Sequence, residues 1–330
     1  MGLAAGVLLL PTNLARYPGY CRRLKNGRGR RPVTILWQMD PLPPENLPPA
    51  AEAAGLAAAR WGDRLRLHQS AAVLSRWKKL CTLFRLREWA NKQISAPGFR
   101  KAGRLLRRAG GDDFDWQQIR AILGNWRRIL DGHQRGWMDF FIASTHQRRR
   151  YLVGRGIAAQ FIPVGAYEAM GRDLGLDRDI PVGFLGAAKY GRRAALLKQL
   201  GERLRKKGIP FVQMTDGCYG EERCRWFNRT RILVHLHSLS WNPAWVRLLM
   251  AARCGALVVS EPMNDEHPMQ AGVHYIAATP EEMPEVIGKL LDNPDKIRQV
   301  VEAAAHLCRH ELTLLRSVEN LCRLVERQNP

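Results

Sequence analysis

The strongest constraint on the fold is a regular alternation of short apolar runs and amphipathic segments in the second half of the chain. The apolar runs predict strands, and the helical spacing of apolar residues between them predicts helices. The predicted strands are 182–185, 210–214, 232–236, 256–260 and 273–276, and the predicted helices are 191–207, 221–228, 244–253, 280–291, 294–308 and 312–327. Apolar strands separated by helices require a parallel sheet that is covered on both faces. The predicted fold class is therefore α/β.

The first half of the chain is less regular. Short apolar runs predict strands at 7–10, 33–37, 139–144 and 160–164, and residues 51–135 have a helical pattern. The Gly- and Asp-rich segment 165–179 is the predicted interdomain linker. We therefore expect an N-terminal domain over 1–170, with a helical block at about 51–135, and a C-terminal domain over 171–330.

Charge is the most unusual feature of the composition. The chain has 52 Lys and Arg residues against 30 Asp and Glu, a formal net charge of +22. Between Arg60 and Arg150 alone there are 21 Lys and Arg against 7 Asp and Glu. Such an excess suits an anionic partner: nucleic acid, an anionic membrane surface or a phosphorylated substrate. Nucleic acid is not favoured, because none of the common nucleic-acid-binding patterns is present.

An anionic membrane surface is the partner that the helical block favours. The predicted contacts are Arg76, Lys78, Lys79, Arg100, Lys101, Arg104, Arg107 and Arg108. The sequence has no apolar stretch approaching the roughly 20 residues that span a bilayer, so attachment would be peripheral. The alternative is a solvated basic face with no ligand. Seven cysteines with no CxxC pair favour a reducing compartment, and we predict a cytoplasmic protein, peripheral at the inner face of the membrane.

Ligands of an open parallel sheet bind beyond the carboxyl ends of its strands, so the residues that follow each strand are the candidate site. After the strand 182–185 come Gly186, Lys189, Arg192 and Arg193, directly before a helix. A glycine that allows close approach, a helix N-terminus and clustered cations suit a diphosphate. The alternative is a solvated turn between a strand and a helix.

Two histidines and two further polar residues follow the next strands. His235 and His237 suit hydrogen bonding or acid–base work at a strand end, since a zinc site would need a third ligand that the sequence does not offer. Arg247 lies in the first turn of a helix, where it is well placed for phosphate. Ser260 and Glu261 follow the strand 256–260, and a carboxylate there can hold sugar or ribose hydroxyls. The alternatives are a core histidine and a surface arginine.

The second half resembles a known family through four runs. They are FLGAAKYGRR, NRTRILVHLH, WVRLLMAARCGALVVSE and GVHYIAATPEEMPEVIGKLLDNPDK. These runs are similar to the nucleotide-binding domain of GT-B glycosyltransferases, and the nearest likeness is to the CgeB-like, family-4-like group. The resemblance covers about 137–328. It implies two Rossmann-like domains of GT-B type, of which the first is reduced here and carries the basic helical insertion.

The resemblance also implies a reaction. The chain would transfer a sugar from a nucleotide-activated donor to an unidentified acceptor, in surface glycan or glycolipid synthesis. Lys189, Arg192, Arg193 and Arg247 would bind the donor diphosphate in place of a metal ion, so neither a metal nor another cofactor is expected.

The resemblance also implies a catalytic residue and residues that contact the acceptor. His237 is the candidate catalytic residue, in contact with the transferred sugar or the diphosphate. Asn13 and Asp40 are the candidate acceptor-side residues. The alternative function is a non-catalytic binder of anionic membrane or nucleic acid on a degenerate α/β scaffold.

Overall fold

The computed structural model describes residues 7–10, 33–38, 41–45, 47–66, 116–188, 191–239, 244–263 and 268–328. The chain divides into two compact units. One contains Met1–Ile142 with Tyr151–Ala159, and the other contains Ala143–Arg150 with Gln160–Pro330. Each unit is described by itself.

The first sheet has four strands in the order β1-β2-β3-β4. These strands are β1 (Val7–Leu10), β2 (Val33–Gln38), β3 (Phe140–Ala143) and β4 (Ala159–Phe161). β1 and β2 run parallel, with Val7 opposite Val33. Ile35 and Leu36 are completely buried, as expected of a strand that is apolar on both faces. The prediction of four strands in this half is confirmed.

The described helices of the first half are α1 (Pro49–Arg66), α2 (Trp116–Gln134) and α3 (His146–Gly154). α1 and α2 pack together around a buried polar contact, in which Trp126 Nε1 donates to Glu52 Oε1 at 2.9 Å. Arg155 donates to both oxygens of Glu52 at 2.8 Å. Trp126 is therefore a core residue. The eight cations predicted to contact a membrane lie outside the described residues.

The second sheet has five strands, all parallel, in the order β6-β5-β7-β8-β9. Its strands are β5 (Ile180–Leu185), β6 (Phe211–Met214), β7 (Thr230–His235), β8 (Leu257–Ser260) and β9 (Ile276–Ala277). The helices are α4 (Arg192–Lys206), α5 (Gly220–Arg229), α6 (Val246–Arg253), α7 (Met283–Leu291), α8 (Pro294–His306) and α9 (Leu314–Gln328). The α/β fold class is confirmed.

Each of the two faces of the second sheet has its own core. Phe184, Val234 and Val259 belong to one, together with α4, α7 and α8. Phe227, Leu233 and Val258 belong to the other, together with α5 and α6. Burial on both faces explains why the sequence of these strands is apolar without alternation. None of the helices that the structure describes is long and apolar enough to cross a membrane.

The start of α9 is tied to the chain segment at Gly165. The backbone of Ala166 exchanges hydrogen bonds with Leu312 and Leu314, and Ser317 Oγ accepts from Gly165 N at 3.0 Å. A Cβ at Gly165 would lie 2.1 Å from the backbone carbonyl of Thr313. The two segments can approach this closely only because residue 165 has no side chain. Residues 165 and 166 of the predicted linker are therefore held within the second unit.

Gly165→Ala is expected to lower the free energy of unfolding by about 1–3 kcal/mol, because the added methyl group meets backbone that cannot rotate away. Gly201→Ala, in the interior of α4, is the matched control. Its Cβ would lie 3.5 Å from the nearest atoms, so removal of a helical glycine should raise stability by about 0.5–1 kcal/mol. Urea denaturation of both variants tests this. Equal effects would contradict the assigned role of Gly165.

Candidate active site

The candidate site lies at the carboxyl edge of the second sheet. Because β5, β7 and β8 are parallel, the residues after them reach the same edge, and His235 is in register with Ser260. The residues at this edge are Gly186 after β5, His235 and His237 at the end of β7, and Ser260 and Glu261 at the end of β8. The first turns of α4 and α6 add Arg192, Arg193 and Arg247.

Glu261 connects three elements of the site. Its carboxylate accepts hydrogen bonds from both terminal guanidinium nitrogens of Arg192 in a bidentate ion pair. The distance from Arg192 Nη1 to Glu261 Oε2 is 3.0 Å. It also accepts the backbone N–H of His237 at 2.6 Å, and Arg192 Nη1 donates to the His237 carbonyl at 3.2 Å. The end of β8, the start of α4 and the loop after β7 are thereby fixed to one another.

The environment of Glu261 favours its charged form. Burial alone would raise the pKa of this carboxyl group, but the hydrogen bonds from Arg192 and from the His237 N–H outweigh burial and hold the pKa below its usual range. Three donated hydrogen bonds occupy three of the roughly four acceptor positions of a carboxylate. Ser260 Oγ is also satisfied locally, since it donates to the Glu261 carbonyl at 2.8 Å.

Arg193 is held by carbonyl oxygens. Its Nε donates to Leu236 O at 3.0 Å and its Nη1 donates to Ala187 O at 2.9 Å. These acceptors orient the guanidinium group without neutralising it. Among the described residues no acceptor is present for its remaining N–H groups, which can donate to a ligand.

Arg247 lies against Gly186. A Cβ on residue 186 would be 2.4 Å from Arg247 Nη2, and the backbone of Gly186 has φ +140°, a conformation that favours glycine. Arg247 Nη1 lies 3.1 Å from His235 Nδ1. The guanidinium carbons of Arg193 and Arg247 lie 6.0 and 5.7 Å from the centre of the Phe184 ring. The glycine predicted to make room for a ligand therefore makes room for this arginine.

The two arginines create a positive field that the nearby Glu261, which is paired with Arg192, offsets only in part. Burial and the neighbouring Arg193 lower the pKa of Arg247 to about 10, and burial lowers the pKa of Arg193. Both remain cationic at neutral pH. Within the described part of the chain, neither forms an ion pair with an acidic side chain. Two neighbouring, partly buried cations of this kind are complementary to a multiply charged anion.

The two histidines have the same ring tautomer but differ in which ring nitrogen is left without a partner among the described residues. Arginine can only donate, so His235 Nδ1 is the acceptor of the bond from Arg247, and the hydrogen of His235 lies on Nε2. His237 Nε2 lies 3.3 Å from the carbonyl oxygen of Pro262, which can only accept a hydrogen bond. The hydrogen of His237 therefore also lies on Nε2, and its Nδ1 carries the lone pair. Among the described residues, the N–H of His235 and the acceptor nitrogen of His237 therefore have no hydrogen-bond partner, and both atoms are buried.

Both histidines are neutral at pH 7. Burial lowers the pKa of His235 well below its ordinary value, and Arg247 adds to the effect. Burial also lowers the pKa of His237, and the opposing effect of Glu261 does not compensate. The ring centroids lie 5.3 Å apart in an edge-to-face arrangement. No group of three or more potential metal ligands was found in the described ranges.

The structure brings together seven of the residues chosen from the sequence. Gly186, Arg192, Arg193, His237, Arg247, Ser260 and Glu261 share one edge of the sheet. Lys189 lies outside the described residues, as do the acceptor-side candidates Asn13 and Asp40. Arg192 differs from the other cations because its guanidinium group is already paired with Glu261.

Sequence reasoning did not find the groups that orient these side chains. They are the ring of Phe184 and the carbonyl oxygens of Ala187, Leu236 and Pro262. Backbone carbonyls have no sequence signal, because every residue has one. Phe184 is an ordinary apolar residue of β5, and nothing in its spacing distinguishes it from a core residue.

Comparison with known proteins gives a partial family match. Residues 192–323 match the family model described as "Glycosyl transferase-like". This segment begins at Arg192 and contains every described site residue except Gly186. No curated protein matches the chain.

Several solved structures are similar to this chain. TarM of S. aureus has a TM-score of 0.51 and 11% sequence identity, with 61% of this chain and 45% of TarM covered. HepE of Anabaena, solved with UDP and glucose, has a TM-score of 0.47 and 13% identity, with 89% of this chain and 100% of HepE covered. The chain thus spans less than half of the length of TarM. The likeness to TarM supports the predicted GT-B type of α/β fold.

Glu261→Gln is expected to lower the free energy of unfolding at neutral pH by about 1–3 kcal/mol, because it removes the charge from a buried bidentate pair. The pKa of Glu261 is lowered in the folded state, so its contribution is fully present above the unfolded pKa and is lost as pH falls through the folded value. The difference between wild type and variant should therefore disappear in acid. Denaturation curves across pH measure it.

Glu285→Gln is the control for this prediction. Glu285 is also paired, with Lys207 Nζ at 2.6 Å, and this pairing also lowers its pKa, but the side chain is exposed. We expect no measurable change in stability. A similar loss of stability in both variants would show that Glu261, although it connects three elements, stabilises the fold no more than an exposed ion pair does.

Proposed function

We propose that this chain is a glycosyltransferase that binds the diphosphate of a nucleotide-activated sugar at Arg193 and Arg247 and transfers the sugar to an acceptor. The observation that carries the proposal is the pair of neighbouring, partly buried guanidinium groups, neither of which forms an ion pair with a carboxylate of the described residues. The family match over 192–323 supports glycosyl transfer over a non-catalytic anion binder, because it coincides with the residues that build the site.

The chemistry follows from charge. When the bond between the sugar and the phosphate oxygen breaks, the electron pair stays on the leaving diphosphate. A hydroxyl oxygen of the acceptor forms the new bond to the sugar and releases its proton to solvent. The leaving group therefore gains negative charge in the transition state. Guanidinium groups held beforehand by Leu236 O, Ala187 O and His235 stabilise that charge without reorganisation. This is the role that a divalent cation has in metal-dependent sites.

Arg192 and Glu261 act as positioning residues in this proposal. Their pairing fixes the N-terminus of α4, whose free backbone N–H groups and dipole favour a phosphate group. It also fixes the loop that carries His237. The sequence-based expectation that Glu261 holds a ribose hydroxyl then relies on its one remaining acceptor position.

The acceptor side of the reaction stays a prediction. Asn13 and Asp40 are its candidate residues, and an acceptor in surface glycan or glycolipid synthesis would suit a strongly basic protein. We propose that the chain works in the cytoplasm at an anionic membrane surface. What supports this is the excess of Lys and Arg between Arg60 and Arg150, which the donor site does not explain.

Arg193→Gln and Arg247→Met should each weaken binding of a nucleoside diphosphate by about tenfold or more, since a charge-assisted hydrogen bond to phosphate contributes roughly 1.5–3 kcal/mol. Arg205→Gln, on an exposed position of α4, is the matched control and should bind as the wild type does. Calorimetric titration in EDTA measures the affinities. The ligands are UDP, GDP, ADP, UDP-glucose, UDP-N-acetylglucosamine, GDP-mannose and ADP-glucose.

The same variants separate binding from folding. Arg247→Met should keep the free energy of unfolding within about 1 kcal/mol of the wild type, because removal of a desolvated cation offsets the loss of the donor to His235 Nδ1. Equal weakening by Arg205→Gln would indicate non-specific charge. No binding of any of the seven ligands to the wild type would overturn the proposed function, and binding only with added Mn²⁺ would overturn metal independence.

Binding to anionic vesicles should fall steeply as salt rises, because each Lys or Arg near such a surface contributes about 1 kcal/mol that counterions screen. Flotation with vesicles of phosphatidylglycerol and phosphatidylcholine, at low and physiological salt, measures it. Vesicles of phosphatidylcholine alone are the control. Absence of binding at low salt would exclude the membrane surface as the partner of the basic block.

A further inference from the structure

His237 is more completely fixed than any other side chain of the site. Its backbone N–H donates to Glu261, its carbonyl accepts from Arg192, and its Nε2 donates to the Pro262 carbonyl. Three independent contacts therefore set the position and the rotation of the imidazole ring. The side chain is 4% exposed.

One polar atom of this ring has no hydrogen-bond partner among the residues that the structure describes. This atom is Nδ1 of His237, which is buried and carries a lone pair. Leaving a buried acceptor unpartnered is unfavourable unless a ligand satisfies it. The other polar atoms of His237 are all held by protein groups, and within the described residues Nδ1 alone is open. This arrangement suits a ligand group that donates a hydrogen bond to Nδ1.

The diphosphate cannot be that group. At neutral pH its oxygens that would contact the protein carry no hydrogen, and they accept hydrogen bonds as Nδ1 does, so the two would repel. Arg193, whose Nε donates to Leu236 O next to His237, is the group that suits the phosphate oxygens. The atom opposite Nδ1 must instead carry a hydrogen. In a nucleotide sugar, the hydroxyl groups lie on the sugars attached to either end of the diphosphate.

We propose that His237 Nδ1 is a preformed acceptor for a hydroxyl group of the bound nucleotide sugar. This hydroxyl group belongs to the transferred sugar, so His237 strengthens binding of the nucleotide sugar and not of the nucleoside diphosphate alone. This inference rests on the proposed function. His235 offers the opposite polarity, because its Nδ1 is taken by Arg247 and its Nε2–H is the atom without a partner. The two neighbouring rings thus differ in what they offer: His235 retains a donor and His237 retains an acceptor.

Two substitutions separate the two ring nitrogens of His237. In His237→Asn, the amide oxygen lies at the same distance along the side chain as Nδ1, so an acceptor is kept. In His237→Gln, the longer side chain reaches the position of Nε2 and keeps a donor for Pro262 O, but no acceptor replaces Nδ1. If Nδ1 binds a hydroxyl group, the Gln variant should lose affinity and the Asn variant should lose less.

Calorimetry measures the affinity for a nucleoside diphosphate and for its sugar conjugate. The first pair is UDP and UDP-glucose, followed by GDP with GDP-mannose and ADP with ADP-glucose. We expect His237→Gln to bind UDP-glucose about tenfold more weakly than the wild type and to bind UDP unchanged. Equal weakening of UDP and UDP-glucose would assign the hydroxyl to the ribose and overturn the preference for the transferred sugar. No weakening in the Gln variant, or equal weakening in Asn and Gln, would overturn the acceptor role.

A spectroscopic measurement tests the same atom without relying on a variant that folds. In protein labelled with ¹⁵N-histidine, Nδ1 of His237 should give the resonance of an unprotonated ring nitrogen at neutral pH. UDP-glucose should shift that resonance and UDP should not. A protonated Nδ1 in the free protein would overturn the inference. These failures differ from failure of the proposed function, in which the wild type would bind none of the nucleotides.

Discussion

The ion pair between Arg192 and Glu261 is the interaction on which the geometry of the site depends. β8 ends at Ser260, α4 begins at Arg192 and the loop after β7 contains His237, so three separate elements meet at one carboxylate. A hydrogen bond between side chains alone would leave the loop free to move. The contact from the backbone N–H of His237 adds the loop to the same rigid group.

The neighbouring arginines show the opposite arrangement. Arg193 and Arg247 are oriented by carbonyl oxygens, a histidine and an aromatic face, all of which leave their positive charge intact. Desolvation of these two charges opposes folding, as the lowered pKa of both groups shows, and the pKa of Arg247 is lowered further by the neighbouring Arg193. Stability in this region therefore comes from Glu261 and from the apolar cores on the two faces of the sheet. The unneutralised charge is available to an anionic ligand.

The histidines differ in hydrogen bonding as the arginines differ in charge pairing. His235 supports Arg247 through its lone pair, whereas His237 keeps its lone pair unused. Because burial keeps both rings neutral, the donor and acceptor character of each nitrogen is fixed at neutral pH. Among the described residues, the site thus presents cations suited to phosphate oxygens and one neutral histidine acceptor suited to a hydroxyl group, the two chemical parts of the nucleotide sugar that we propose as its ligand.

The sequence by itself determined the parallel sheet of the second unit and the edge at which the site lies. Continuous apolar runs separated by amphipathic helices have no other stable arrangement, and residues after parallel strands must share an edge. The tertiary structure alone decided which cations are paired. Arg192 and Arg193 are adjacent in sequence, yet one faces Glu261 and the other the carbonyls of Ala187 and Leu236. Neighbouring helical positions point about 100° apart, so what each side chain meets depends on the packing of distant segments.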